Sequence, residues 1–149
     1  MNIRIIESDL FVFKDTHDLV HCISSDFSMG AGIAKSFAAL GAKKLLFEKY
    51  PFYKDNYDGH GHALQTGRIW NLVTKARSWH KPTYKSLAEA LLELKTKLEE
   101  KGISRIAMPK IGCGLDKLSW ENVYKLICKI FEKTEIDITV CVLNPVSEK

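Results

Sequence analysis

Two short glycine-rich segments have the composition of anion-binding loops. The first is residues 24–32 (SSDFSMGAG), and the second is residues 109–116 (PKIGCGLD). Each follows an apolar segment and precedes a segment with helical periodicity. Glycines let backbone N–H groups approach a phosphate, and the N-terminus of the next helix adds a favourable dipole. Two such loops in one domain predict two phosphates, as in a nucleotide diphosphate, although each loop alone is also compatible with a plain strand-to-helix turn.

Neither loop matches a common nucleotide-binding fingerprint. The first has no Gly-Lys-Ser/Thr, which a Walker A loop requires, and Lys35 replaces the last glycine of a G-x-G-x-x-G pattern. Cys113 lies between the two glycines of the second loop. Because no general base is near it in the sequence, we interpret Cys113 as a small residue that fills the turn rather than as a nucleophile.

Two charged residues are candidates for chemistry. Lys75 ends the apolar segment 68–74, where its amine could bind a phosphate, attack an electrophilic carbon or simply be solvated. As a nucleophile it would need desolvation or a cationic neighbour, and Arg77 and Lys81 are candidates that the sequence does not place. Asp116 follows the second loop, and it is either a carboxylate near a helix start or, if it faces the ligand, a general acid–base.

The elements that must position these residues alternate between strands and helices. Apolar segments predict strands at residues 2–6, 17–24, 68–74, 103–108 and 136–143. Amphipathic segments predict helices at residues 33–50, 84–101 and 118–133. Gly41 marks either a break in the first helix or a point of close packing. Residues 50–67 lack periodicity and predict a long surface loop.

This order predicts an α/β domain with a mostly parallel sheet covered on both faces. In such sheets ligands bind outside the carboxyl ends of the strands. The loops after residues 24, 74, 108 and 143 are therefore the predicted walls of the site.

Length and composition limit the classes of protein that fit. The 149 residues suffice for a single domain over residues 1–149. No apolar run approaches the roughly 20 residues of a membrane span, and Glu7 and Asp9 interrupt the stretch that a signal peptide needs. The four cysteines lack zinc-site spacing, so we expect no metal. A domain of this size needs no disulfides, so we expect a reduced protein that is cytoplasmic or, in a eukaryote, nuclear. The net charge of +4 permits a nucleic-acid partner without requiring one.

Taken together, these motifs resemble the macrodomain family, and within it the lysine- and aspartate-dependent ADP-ribose glycohydrolase branch. The likeness extends from about Ile5 to Leu143. The matching segments are residues 8–11 (SDLF), 21–24 (HCIS), 29–34 (MGAGIA), 72–75 (LVTK), 80–84 (HKPTY), 108–116 (MPKIGCGLD) and 120–123 (WENV).

The resemblance implies a three-layer α/β/α fold with a mixed, mostly parallel central sheet and ADP-ribose in its cleft. Asp9 would bind the adenine amino group with Leu10 beside it, Leu143 would border the adenine, and Ser24 would contact the distal ribose. The residues that would hold the diphosphate and distal ribose are Met29, Gly30, Ala31, Gly32, Ile33, Ile111, Gly112, Cys113, Gly114 and Leu115.

The resemblance also implies a reaction that uses no cofactor. Lys75 would attack the anomeric carbon of the distal ribose to give a lysyl–ADP-ribose intermediate, and Asp116 would transfer protons. The leaving group would be a Glu or Asp ester, an acetyl group or a nucleobase, so the partners would be ADP-ribosylated protein or nucleic acid, bound by a monomer. Two alternatives stay open: a reader that binds ADP-ribose without cleaving it, and an ADP-ribose 1″-phosphate phosphatase.

The sequence departs from common macrodomain patterns at two points. Ser8 replaces the usual glycine before Asp9. Residues 22–25 (CISS) replace the Asn-Ala-Ala-Asn stretch of most macrodomains, so their asparagine-based chemistry is not supported here.

Overall fold

The computed structural model describes residues 1–143, in which six strands and five α-helices form the domain. The strands are β1 (Asn2–Glu7), β2 (Asp18–Ser24), β3 (His62–Thr66), β4 (Ile69–Lys75), β5 (Arg105–Met108) and β6 (Asp137–Val142). The helices are α1 (Gly32–Ala39), α2 (Ala42–Lys49), α3 (Tyr53–Asn56), α4 (Tyr84–Glu100) and α5 (Trp120–Phe131), and a 3-10 turn covers Leu10–Phe13. No helix among residues 1–143 is long and apolar enough to span a bilayer.

The strands form one mixed sheet in the order β1-β6-β5-β2-β4-β3. Neighbouring strands are parallel except β3, which pairs antiparallel with β4. Helices α4 and α5 contribute to the apolar core on one face, and α1 and α2 to the core on the other. The predicted α/β/α class with a mixed, mostly parallel sheet is confirmed.

The central strands are apolar on both faces because both faces are covered. In β2, Val20 packs in the core beneath α4 and α5, whereas Leu19 and Ile23 pack in the core beneath α1 and α2. In β4, Leu72 packs in the core beneath α4 and α5, and Val73 packs in the core beneath α1 and α2. Continuous apolar strands of this kind are typical of parallel sheets between helical layers.

Helix α4 begins with a capping box and presents an apolar stripe to the sheet. The Thr83 side chain accepts a hydrogen bond from the backbone N–H of Ser86, and the Ser86 hydroxyl accepts one from the N–H of Thr83. These bonds satisfy donors that a helix start otherwise leaves unpaired. The predicted stripe of Leu87, Leu91, Leu94 and Leu98 is fully buried.

The prediction of a loop over residues 50–67 is wrong, because this segment contains α3 and β3. Strand β3 forms a hairpin with β4, and Gly67 at φ +62° makes the turn. Ala63 and Leu64 are both buried, on opposite faces of the sheet. Five residues that include a histidine and a glutamine are too short and polar to show strand periodicity. Gly41, at φ +97°, separates α1 from α2, so it marks a break.

Charged side chains connect the edge strand β3 to α4. The His62 Nδ1 lies 2.9 Å from Glu93 Oε2, and its Nε2 lies 2.8 Å from Asp58 Oδ1. The Lys97 ammonium donates to the Ala63 carbonyl at 2.7 Å and pairs with Glu93. His62 therefore joins a loop, an edge strand and a helix.

The His62 network predicts a pH-dependent stability. Burial alone would lower the pKa of His62, but hydrogen bonds to Asp58 and Glu93 outweigh burial and raise its pKa above the usual value. The stabilisation that His62 gives the folded state is therefore complete below the unfolded pKa of about 6.5 and is lost as pH rises through the higher folded pKa. We expect His62→Gln to lower the free energy of unfolding more at mildly acidic than at alkaline pH, measured by urea denaturation. His80→Gln, in an exposed loop, is the control; equal losses for His62→Gln at both pH values would contradict the prediction.

Candidate active site

A cavity of about 840 Å³ opens at the carboxyl ends of the strands. Its walls are the turn after β1, the β2–α1 loop, the β4–α4 loop, the β5–α5 loop and the residue after β6. This volume is within the range of about 300–1,000 Å³ that small-molecule sites occupy.

The cavity brings together nearly all the residues that sequence analysis proposed for the site. Those that line it are Asp9, Leu10, Ser24, Met29, Gly30, Ala31, Gly32, Ile33, Lys75, Ile111, Gly112, Gly114, Leu115, Asp116 and Leu143. Among the described residues, Cys113 is the one proposed site residue outside the lining. Its thiol donates to the Ile111 carbonyl at 3.3 Å, and its side chain packs against the core beneath α4 and α5.

The β2–α1 loop is held in a strained conformation. Phe27 and Met29 adopt positive φ values of 53° and 45°, which is uncommon for residues other than glycine. Both side chains are buried in the core, and this burial offsets the backbone strain. The Asp26 carboxylate accepts hydrogen bonds from the Ser24 hydroxyl at 2.5 Å and the Ser28 N–H at 3.2 Å. The loop is therefore fixed before any ligand arrives.

Helix α1 begins at the cavity without a side-chain cap. Its N-cap residue is Ala31, whose methyl side chain accepts no hydrogen bond. The N-terminal N–H groups of a helix need acceptors, and an anion in the cavity would supply them.

The β5–α5 loop uses its two lining glycines differently. Gly112 has a φ of +74°, and a Cβ there would lie 3.0 Å from Leu118 Cδ1, so the fold itself requires glycine. Gly114 lines the cavity, and an added Cβ there would meet no described atom within 4 Å. A Cβ on Gly32 would lie 3.3 Å from Leu115 Cδ1, which shows that the two glycine loops come together over the cavity.

Lys75 and Asp116 form an ion pair in the wall of the cavity. The Lys75 Nζ lies 2.6 Å from Asp116 Oδ1, and the two side chains are only 12% and 16% exposed. Lys75 is the last residue of β4, and Asp116 lies in the β5–α5 loop. The pair brings an amine and a proton acceptor into contact within a largely dehydrated site, which is the arrangement that nucleophilic and acid–base chemistry need.

The neighbouring thiol is unsuited to nucleophilic chemistry. Cys22 lines the cavity, and burial raises the pKa of its thiol, with a smaller contribution from the Asp116 carboxylate. Cys22 therefore stays protonated, and the thiolate is the reactive form. Within residues 1–143 no group of three or more His, Cys, Asp or Glu side chains is placed to hold a metal ion.

Sequence analysis predicted the β4–α4 loop as a wall of the site, but it did not propose Ser78 or Trp79 as lining residues. Ser78, Trp79, His80 and Lys81 all line the cavity, and Trp79 is 75% exposed. Arg77 instead donates to the neighbouring Ala76 carbonyl at 3.3 Å. The available signal was position, because this loop follows directly from the carboxyl end of a central strand.

The fold and this site define the class to which the protein belongs. A Macro domain family model matches residues 20–127, and the chain belongs to that family. It is 43% identical over 145 residues to ADP-ribose glycohydrolase OARD1 from Bos taurus, a match that covers 95% of this chain and 91% of that protein. The OARD1 of Homo sapiens is 42% identical over the same coverage.

Solved structures have the same fold. The macrodomain of Thermus aquaticus DarG superimposes with a TM-score of 0.77 at 22% identity, covering 94% of this chain and 97% of that one. Thermosipho africanus DarTG in complex with ADP-ribose gives a TM-score of 0.74 at 21% identity, covering 94% of this chain and 41% of that one. The macrodomain resemblance seen in the sequence is thus confirmed.

The two glycines of the β5–α5 loop predict different effects on stability. Gly112→Ala should lower the free energy of unfolding by about 1–2 kcal/mol, because an L-residue is strained at positive φ and its Cβ would press on Leu118. Gly114→Ala should change it little, because its Cβ enters open space. Urea denaturation of both variants tests this contrast, and similar losses would show that Gly114 is also a structural glycine.

Proposed function

We propose that this macrodomain is an ADP-ribosyl glycohydrolase that removes ADP-ribose from esterified carboxylates or nucleobases. The observation that carries the proposal is the Lys75–Asp116 pair, 2.6 Å apart in a cavity that two glycine-rich loops line. The names of the OARD1 relatives, which match nearly the whole chain, support the same activity.

The walls of the cavity offer a place for the diphosphate, the distal ribose and the adenine of ADP-ribose. The N-terminus of α1 and the open backbone at Gly114 would hold the diphosphate. Ser24, beside Lys75 in the strand register, would face the distal ribose. Asp9 lies in the turn after β1, and Leu143 directly follows β6. Both line the cavity, and the adenine would bind beside them.

The chemistry follows from the amine and the carboxylate. For an esterified carboxylate, the Lys75 ammonium first loses a proton to water, its Nζ attacks C1″ of the distal ribose, the C1″–O bond to the target breaks, and the target leaves as a carboxylate with the bonding electrons. Asp116 takes the proton that the attacking nitrogen loses. Water then attacks C1″ while Asp116 protonates the departing Nζ and accepts the proton of the water. This second step releases ADP-ribose and restores the lysine.

A purely binding module would have no need of this pair. Removing a lysine and an aspartate from water costs free energy that their mutual attraction repays only in part. The two loops alone would bind a diphosphate, so a reader gains nothing from the buried pair. Catalysis uses both groups, and for this reason we favour a hydrolase over a reader or an ADP-ribose 1″-phosphate phosphatase.

The setting of the enzyme is part of the proposal. The partners would be ADP-ribosylated protein or nucleic acid, bound by a monomer. The four cysteines are thiols rather than disulfides, which fits a reducing compartment such as the cytoplasm or, in a eukaryote, the nucleus.

Lys75→Ala tests the proposed nucleophile. We expect release of ADP-ribose from glutamate-linked and base-linked substrates to fall by more than about 10³-fold, because the variant lacks the amine that pairs with Asp116. Binding of free ADP-ribose should persist, since the loops that hold the diphosphate are unchanged. Chromatographic detection of released ADP-ribose and calorimetric titration measure the two quantities.

Lys125→Ala is the matched control for that variant. Lys125 also pairs with a carboxylate, that of Glu121 at 3.3 Å, but both side chains are exposed on α5. The Lys125→Ala variant should keep wild-type activity. Normal release by Lys75→Ala would refute the lysine mechanism. Binding without release by the wild type would identify a reader, and phosphate release from ADP-ribose 1″-phosphate in preference to ADP-ribose would identify a phosphatase.

Gly114→Val tests the proposed diphosphate site. The branched side chain would occupy the open side of the loop, where we place the phosphates, so ADP-ribose binding should be lost. The thermal midpoint should stay close to that of the wild type, because no described atom lies within 4 Å of the new Cβ. Calorimetry and a thermal melt of the same sample measure both. Undiminished affinity would exclude this loop as the diphosphate site.

A further inference from the structure

The end of β4 departs from regular pairing at Lys75. Along β2 and β4, Ile23 pairs with Val73, but the next residue, Ser24, pairs with Lys75. Thr74 is therefore an extra residue, and the strand carries a bulge there. Bulges next to active sites redirect the side chain that follows them, at the expense of ladder hydrogen bonds.

Three consecutive carbonyl groups around Lys75 find partners outside the regular ladder. The Ser86 hydroxyl donates to the Thr74 carbonyl at 2.7 Å. The Ser25 backbone N–H donates to the Lys75 carbonyl at 2.9 Å, and the Ser25 hydroxyl donates to the Ala76 carbonyl at 2.8 Å. Ser25 thus holds two peptide groups in succession, directly after the bulge.

Burial makes the Ser25 contact specific. Ser25 is completely buried, and the Ala76 carbonyl is the one described partner of its hydroxyl. The Arg77 guanidinium also donates to the Ala76 carbonyl, but at a longer 3.3 Å. Ser25 does not line the cavity, whereas its neighbour Ser24 does. Any effect of Ser25 on catalysis must therefore act through the β4 backbone.

We propose that Ser25 is a positioning residue that aims Lys75 at the reacting carbon, an inference that rests on the proposed glycohydrolase function. A lysine side chain has four rotatable bonds, and its Nζ reaches a defined point only if its backbone origin is fixed. The bulge sets the direction in which the Lys75 side chain leaves the backbone. The Ser25 hydroxyl restrains the next residue through its hydrogen bond to the Ala76 carbonyl. Asp116 then meets the amine at 2.6 Å.

The test separates the rate of the reaction from ligand binding. We expect Ser25→Ala to lower kcat about 10- to 100-fold, because small displacements of a reacting group cost rate steeply. The Kd for ADP-ribose should stay unchanged, because Ser25 does not contact the cavity. Ser25→Cys keeps the size of the side chain and replaces the hydroxyl with a weak donor, so it should be slow as well. Its retained volume preserves the folded state if Ser25→Ala unfolds.

Thr134→Val is the matched control. The Thr134 hydroxyl is also buried and donates to a backbone carbonyl, that of Phe131 at 2.7 Å, but it lies between α5 and β6 outside the cavity. The Thr134→Val substitution should destabilise the protein and leave kcat unchanged. A slow Ser25→Ala and Ser25→Cys with normal Kd, beside a normal Thr134→Val, would support the proposal.

Other results would overturn it. Wild-type kcat in Ser25→Cys, or a loss in Ser25→Ala that lies entirely in Kd, would remove the positioning role while the glycohydrolase function stood. Absence of ADP-ribose release by the wild-type enzyme would instead refute the proposed function itself, and the positioning role with it.

Discussion

The parallel pairing of β2 with β4 on one side and β5 on the other is the constraint on which the rest of the molecule depends. Parallel strands direct their carboxyl ends to the same edge of the sheet. The loops that leave β2, β4 and β5 therefore begin side by side, although they are distant in the chain. One of these loops supplies a helix N-terminus, the second follows Lys75, and the third supplies Asp116 and an open glycine.

Rigid packing beneath these loops makes the site possible. Phe27 and Met29 accept positive φ values because their side chains are buried in the core under α1 and α2. Gly112 has a positive φ, and a Cβ there would lie only 3.0 Å from Leu118, so the second loop is constrained as well. Strain and desolvation are thus concentrated at the cavity, and the apolar core on each face of the sheet compensates for them. An ion pair as buried as that of Lys75 is tolerated for the same reason.

Prediction from sequence succeeded where a pattern was long or locally decisive. The leucine stripe of α4 and the two glycine loops extend over many residues, and each has a local physical cause. It failed at β3, whose five residues become a strand only because β4 offers a partner and α4 covers them. It predicted the β4–α4 loop as a wall but did not single out Trp79, because the orientation of one side chain in a polar loop is set by contacts outside the loop. Cys113 lies inside a predicted site motif, but its side chain packs against the core beneath α4 and α5.

The sequence by itself determined the class of fold, the family resemblance and the residue types at the strand ends, because periodicity and motif spacing are properties of the chain. Only the tertiary structure decided that Lys75 and Asp116, separated by 41 positions, meet at 2.6 Å in one cavity. That distance depends on strand order, on a one-residue bulge at Thr74 and on the carbonyl groups that Ser25 holds. Each is a relation between distant segments, which packing and hydrogen bonding establish only when the sheet is assembled.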